Sequence, residues 1–175
     1  MTAEGVNGFG VGGPSIGKLG RVQEVGIDDL RLTNLIADYS SQKVGALSAP
    51  FVAANLGGNL LRRFAVTFDY GNETMTLIPN ADFSQADTYE RSGLFLIKRS
   101  GNVVVVDSRP GTPAADAGIA KGDVIASVNG SSTSGMLLSQ VRDAFVQPAG
   151  TVVTLVIAGK DGTQRTVKIT LRDYV

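Results

Sequence analysis

The chain has 175 residues, 43% of them apolar, and its 16 basic side chains are balanced by 16 acidic ones. That balance, without a basic run, argues against nucleic acid or an anionic membrane surface as a partner, and no apolar stretch reaches membrane-spanning length. Histidine and cysteine are both absent, which removes Ser-His-Asp and Cys-His catalysis, histidine zinc sites and disulfides. A carboxylate pair, a Ser-Lys pair or a carboxylate-bound metal are the hydrolytic chemistries left.

Residues 5–20 hold seven glycines. Gly8-x-Gly10-x-x-Gly13 has the spacing of a dinucleotide-binding loop, but no strand precedes it and Pro14 stands where a helix should open. A plain loop is expected there, and no cofactor. From Leu19 the pattern turns to β: residues 21–25 and 30–36 alternate on either side of the turn-like Gly26-Ile27-Asp28-Asp29. Asp28 and Asp29 point to opposite sides of an extended chain, so they make no catalytic pair. Further on, Leu60, Leu61 and Phe64 recur at helical spacing. Residues 64–69 and 74–78 then alternate as paired strands around Tyr70-Gly71-Asn72.

Leu56-Gly57 followed by Asn59-Leu60-Leu61-Arg62-Arg63-Phe64 resembles the C-terminal part of a retropepsin-like aspartic protease domain. The likeness spans roughly residues 8–80. That family activates water with aspartates in Asp-Thr-Gly or Asp-Ser-Gly. Neither tripeptide occurs here. Asp69-Tyr70-Gly71 has tyrosine in place of the small hydroxyl residue, and Asp161-Gly162-Thr163 reads as a hairpin turn. No catalytic residue is assigned. The resemblance implies the C-terminal portion of a longer aspartic peptidase, whose catalytic loop and flap would lie upstream. It also implies export from the cytoplasm. A half-domain with exposed edges further implies a possible homodimer. The alternative is a non-catalytic scaffold on a degenerate protease lobe.

Residues 80–92 are polar and read as a linker that Phe83 and Tyr89 can pin. After it, Arg99-Ser100-Gly101-Asn102 is a turn between two apolar runs. Thr112-Pro113 opens a short helix that Gly118 stops, and Lys121-Gly122-Asp123 leads into a strand over 124–128. A second helix is expected over 135–145 with Ser134 as its cap, and a closing hairpin over 151–158 and 163–171. The ending Asp173-Tyr174-Val175 reads as a frayed tail.

The order GLFLIKRSGNVVVVDSRPGTPAADAGIAKGDVIASVNG resembles a PDZ domain, a module that captures chain ends and extended segments. The expected fold is thus mainly β with short helices (α+β): an incomplete protease-like β domain over 1–80, a linker over 81–91 and a PDZ domain over 92–175. The resemblance implies a carboxylate-binding loop at Gly93, Leu94, Phe95 and Leu96, with 94–98 as the edge to which a peptide adds. Leu138, Val141 and Arg142 of the second helix would line the groove, Leu94, Leu96 and Leu138 forming the anchor pocket. A peptide or protein C-terminus is the implied partner. Lys98 and Ser100 raise a weak Ser-Lys alternative, being two apart at a strand end.

Overall fold

A computed structural model describes residues 2–10, 13–41, 51–159 and 161–175. The fold is mainly β with short helices, and it packs as two compact units. One comprises residues 36–41 and the described parts of 1–22 and 88–175. The other comprises 23–35 and the described part of 42–87. Strands β2 and β3 contribute to both.

β1 (Thr2–Gly10) and β2 (Gly13–Ile27) pair antiparallel from Thr2 opposite Gly20 to Gly10 opposite Gly13, with a bulge between Val6 and Gly8. β3 (Leu30–Ser40) completes a three-stranded sheet in the order β1-β2-β3. The described residues of the glycine-rich stretch, expected to be a loop, are therefore strand residues. Glycine is a poor strand former, but two of these positions have no room for a side chain. A Cβ on Gly5 would lie 2.5 Å from Asp107 Oδ2, and one on Gly17 would lie 2.4 Å from both Asn7 Nδ2 and the Tyr39 carbonyl oxygen.

In the other unit, α1 (Gly58–Leu61) is a single turn that delivers the chain into β4 (Phe64–Asp69), paired with β5 (Thr74–Pro79). Leu32, Leu35 and Phe64 form its buried core, with Leu60, Val66, Leu77 and Phe83 packed against them. The Phe83 ring meets Phe64 edge-on at 5.5 Å. Asp69 accepts hydrogen bonds from Asn72 Nδ2, then from the Asn72 and Gly71 amides, which hold its carboxyl below the usual range. It braces the hairpin turn.

Residues 94–170 build a six-stranded sheet. β6 (Leu94–Arg99), β7 (Asn102–Ser108), β8 (Val124–Val128), β10 (Val152–Ala158) and β11 (Gln164–Thr170) run in the order β11-β10-β8-β7-β6, and the short β9 (Ser131–Ser132) pairs with β8. The alternation of β10 is clean: Val153, Leu155 and Ile157 are wholly buried, and their neighbours face outward. These side chains meet Leu96, Val103, Val105, Ile125, Val141, Phe145 and Leu171 in one apolar core. Two short helices cover it. α2 (Pro113–Asp116) has proline at its first position and ends before Gly118 at φ +72°. The Thr112 hydroxyl does not cap it, donating instead to the Arg109 carbonyl at 2.6 Å.

α3 (Leu138–Asp143) is shorter than the expected 135–145, and Leu137, not Ser134, is its cap residue. The Gln140 side chain reaches back to accept the Leu137 amide at 2.7 Å, so the helix start is held from its third residue.

The chain end is anchored, in contrast to the expected frayed tail. Tyr174 is buried, its amide donates to the Tyr89 hydroxyl at 3.0 Å, and the two rings meet edge-on. Its hydroxyl donates to Glu90 Oε1. Burial, then the Glu90 charge, raise the pKa of that hydroxyl and keep it a donor. Tyr174→Phe is expected to cost ~1 kcal/mol by withdrawing one donor from the half-buried Glu90 carboxylate, readable as a shift in the urea midpoint.

Candidate functional site

The site is built from the outer edge of the larger sheet. β6 is the last strand in its order, so one side of its backbone has no strand partner. Which groups face that side follows from the register. Val105 donates its N–H to the Asp123 carbonyl (2.9 Å) and accepts from Gly122 N–H (2.8 Å), so its polar groups point away from β6. Leu96 stands opposite Val105. The two therefore form a non-hydrogen-bonded pair, and the Leu96 N–H and C=O face the open edge. Lys98, two residues on and opposite Val103, repeats the orientation.

α3 lies beside this edge. Arg142 reaches from it to the Leu96 carbonyl, with Nη2 donating at 2.6 Å, and its guanidinium sits 6.0 Å from the centre of the Phe95 ring. Lys98 Nζ donates to the Met136 carbonyl at 2.5 Å, at the far end of the same strand. Phe95 and Ile97 are half-exposed and look outward, whereas Leu94 and Leu96 belong to the core. The helix stripe divides likewise. Val141 is wholly buried, Leu138 is partly buried against the core, and Arg142 and Leu137 are exposed. Of the seven residues named from the sequence, Phe95, Leu138 and Arg142 thus present surface beside the edge, and Leu96 presents backbone. Val141 presents none. Lys98 is committed to Met136, and Ser100 sits in the turn at φ +48°, so no Ser-Lys pair forms between them.

The loop before β6 has its own polar cage, which the sequence reading missed. Gly93 takes φ +85°, and a Cβ there would lie 2.0 Å from Thr112 Oγ1. Held in that conformation, the loop turns the Ser92 and Gly93 amides onto Glu90 Oε2, at 3.0 and 2.9 Å, and the Ser92 hydroxyl joins them at 2.7 Å. The Leu94 amide donates to Ser92 Oγ at 3.2 Å. The other Glu90 oxygen receives Tyr174 and Arg109 Nη1, the latter at 3.2 Å. Arg109, nearly buried, spends Nη2 on the Val6 carbonyl at 2.8 Å, while the Val6 amide donates to Asp107 Oδ2 at 2.8 Å. The available signal was a glutamate three residues ahead of a turn glycine. It lay inside the stretch read as a linker. Arg91 is equally engaged, its side chain bonding Asp173, Val146 and Gln147.

Residues 104–159 match the family model for the PDZ domain. The C-terminal part of this chain carries a PDZ domain. Among solved structures, similarity extends to a photosystem II D1 C-terminal processing protease, with 31% identity over 49% of this chain and 24% of that one at a TM-score of 0.45. The PDZ domain of a carboxy-terminal protease from Vibrio cholerae, in complex with peptide, is 26% identical over 48% of this chain and 94% of that one, at a TM-score of 0.43. An HtrA-type protease with decapeptide aligns over 98% of this chain and 59% of that one, at 16% identity and a TM-score of 0.46. The chain thus spans about a quarter of the length of the first of these relatives. No curated protein sequence matches it. Among the described residues no acidic cluster is arranged to hold a metal ion, and no helix is long and apolar enough to cross a membrane.

Proposed function

We propose that the PDZ domain binds an extended peptide by strand addition along β6, with α3 as the facing wall, as a module of a larger peptidase. The observation that carries this reading is the outward orientation of the Leu96 and Lys98 backbone groups on an edge strand with a helix beside it. A peptide strand gains backbone hydrogen bonds at alternate residues of such an edge, and side-chain pockets give it specificity. Phe95, Ile97 and Leu138 supply apolar surface, and Gly93 sets the start of the strand.

Lys98→Pro tests the reading. Its side chain is exposed and its N–H faces outward, so proline removes a donor to the ligand without breaking the ladder to β7. Lys98→Ala loses only the side-chain bond to Met136, and peptides selected on the wild-type chain are expected to bind Lys98→Pro at least about tenfold more weakly than Lys98→Ala. Equal affinity of the two variants would overturn strand addition. Arg142 acts in the other direction, because a ligand amide must share or displace its bond to the Leu96 carbonyl. Arg142→Ala is expected to tighten binding of an uncharged peptide by roughly threefold to tenfold in isothermal titration.

The larger peptidase is read as an aspartic one. Leu60, Leu61 and Phe64 before the β4–β5 hairpin support that assignment, with the catalytic aspartates outside this sequence. The domain division at 81–91 belongs to the same proposal. Acid proteolysis by the full gene product, blocked by a statine-type inhibitor, is the expected result. A product inactive at every pH would leave the scaffold reading in its place.

A further inference from the structure

We infer that the groove receives an internal extended segment of its ligand and not a free chain end. This rests on the reading that peptides add to β6, and it names the class of peptide. Recognition of a terminal carboxylate needs several unspent backbone donors converging on one anion and a local charge that favours it. Of the amides at 93–96, those of Gly93 and Leu94 are already bonded within the chain, which leaves the outward-facing Leu96 N–H without other open donors converging beside it. The Ser92 and Gly93 amides and the Ser92 hydroxyl converge on Glu90, and the Leu94 amide is held by Ser92 Oγ. The anion in the loop is supplied by the chain itself.

The charge around it is also settled. Of the two nearby guanidinium groups, Arg109 is divided between Glu90 and the Val6 carbonyl, and Arg142 in the groove is bonded to the Leu96 carbonyl. An arriving carboxylate would meet a resident negative charge whose cation is paired, so like-charge repulsion opposes it. The strand edge itself does not stop at the loop. Leu96 and Lys98 continue the outward-facing backbone along β6, which suits a segment that passes through.

The test uses the intact chain and a random peptide library displayed in two formats, once at free C-termini and once flanked on both sides. Flanked binders are expected. Each sequence recovered is then synthesised with a terminal carboxylate and with a terminal amide, and the two forms are expected to differ by less than about fivefold. Binders from free C-termini alone, or a carboxylate preference of about fivefold or more, would overturn this inference and leave strand addition standing. An absence of binders in both formats would overturn peptide binding itself, and this inference with it.

Discussion

Gly93→Ala is expected to lower the thermal midpoint by more than about 10 °C. Two costs combine at this position. The backbone sits at φ +85°, where a residue with a Cβ costs of order 1 kcal/mol or more. The new methyl would also lie 2.0 Å from Thr112 Oγ1 and 2.3 Å from Thr112 Cβ, so the loop or α2 must move. Thr112 cannot yield easily, since it is nearly wholly buried with its hydroxyl tied to the Arg109 carbonyl. Overpacking of that kind costs ~1–3 kcal/mol further. Gly101→Ala separates the two contributions. Gly101 takes φ +83° with open space around it, so it carries the backbone cost alone and should shift the midpoint by only a few degrees. Equal melting shifts for the two variants, read by circular dichroism, would refute the steric account.

Glu90→Ala is the second large effect, at about 3 kcal/mol. The Glu90 carboxylate is the acceptor for five donors from Ser92, Gly93, Arg109 and Tyr174. Removing it orphans the loop amides and leaves Arg109 with a nearly buried charge. Breaking such a pair typically costs ~3–5 kcal/mol, and the lower end applies because the glutamate side chain keeps 23% exposure. The remedy should be specific. Arg109→Met in the same chain removes the uncompensated charge, so the double variant is expected within about 1 kcal/mol of Glu90→Ala alone. Fully additive losses in urea unfolding would mean that the two side chains are stabilised independently.

Much of the larger sheet was legible because its signals are local. Alternation at Val153, Leu155 and Ile157, proline at the head of α2 and Ser100-Gly101 between β6 and β7 each act within a few residues. The same holds for the β4–β5 hairpin, where Asp69 braces a turn whose composition announced it. Local signals misled where the cause was distant. Gly5 and Gly17 read as loop residues, yet they are strand residues that lack a side chain because Asp107, Asn7 and Tyr39 occupy the space. Tyr174 read as a tail, and it is fixed by Tyr89 and Glu90, more than 80 residues away in sequence.

The site divides along the same line. Sequence alone determined that this chain has no histidine or cysteine chemistry and that residues 94–98 form a strand, because composition and short-range periodicity carry those facts, while the PDZ character rested on the resemblance of the ordered motif over 93–130. Only the tertiary structure decided which backbone groups of that strand face outward, that Val141 belongs to the core, that Arg142 spans to Leu96, and that Glu90 fills the loop. Each of those depends on strand register or on a partner far along the chain, and neither is written in a local pattern.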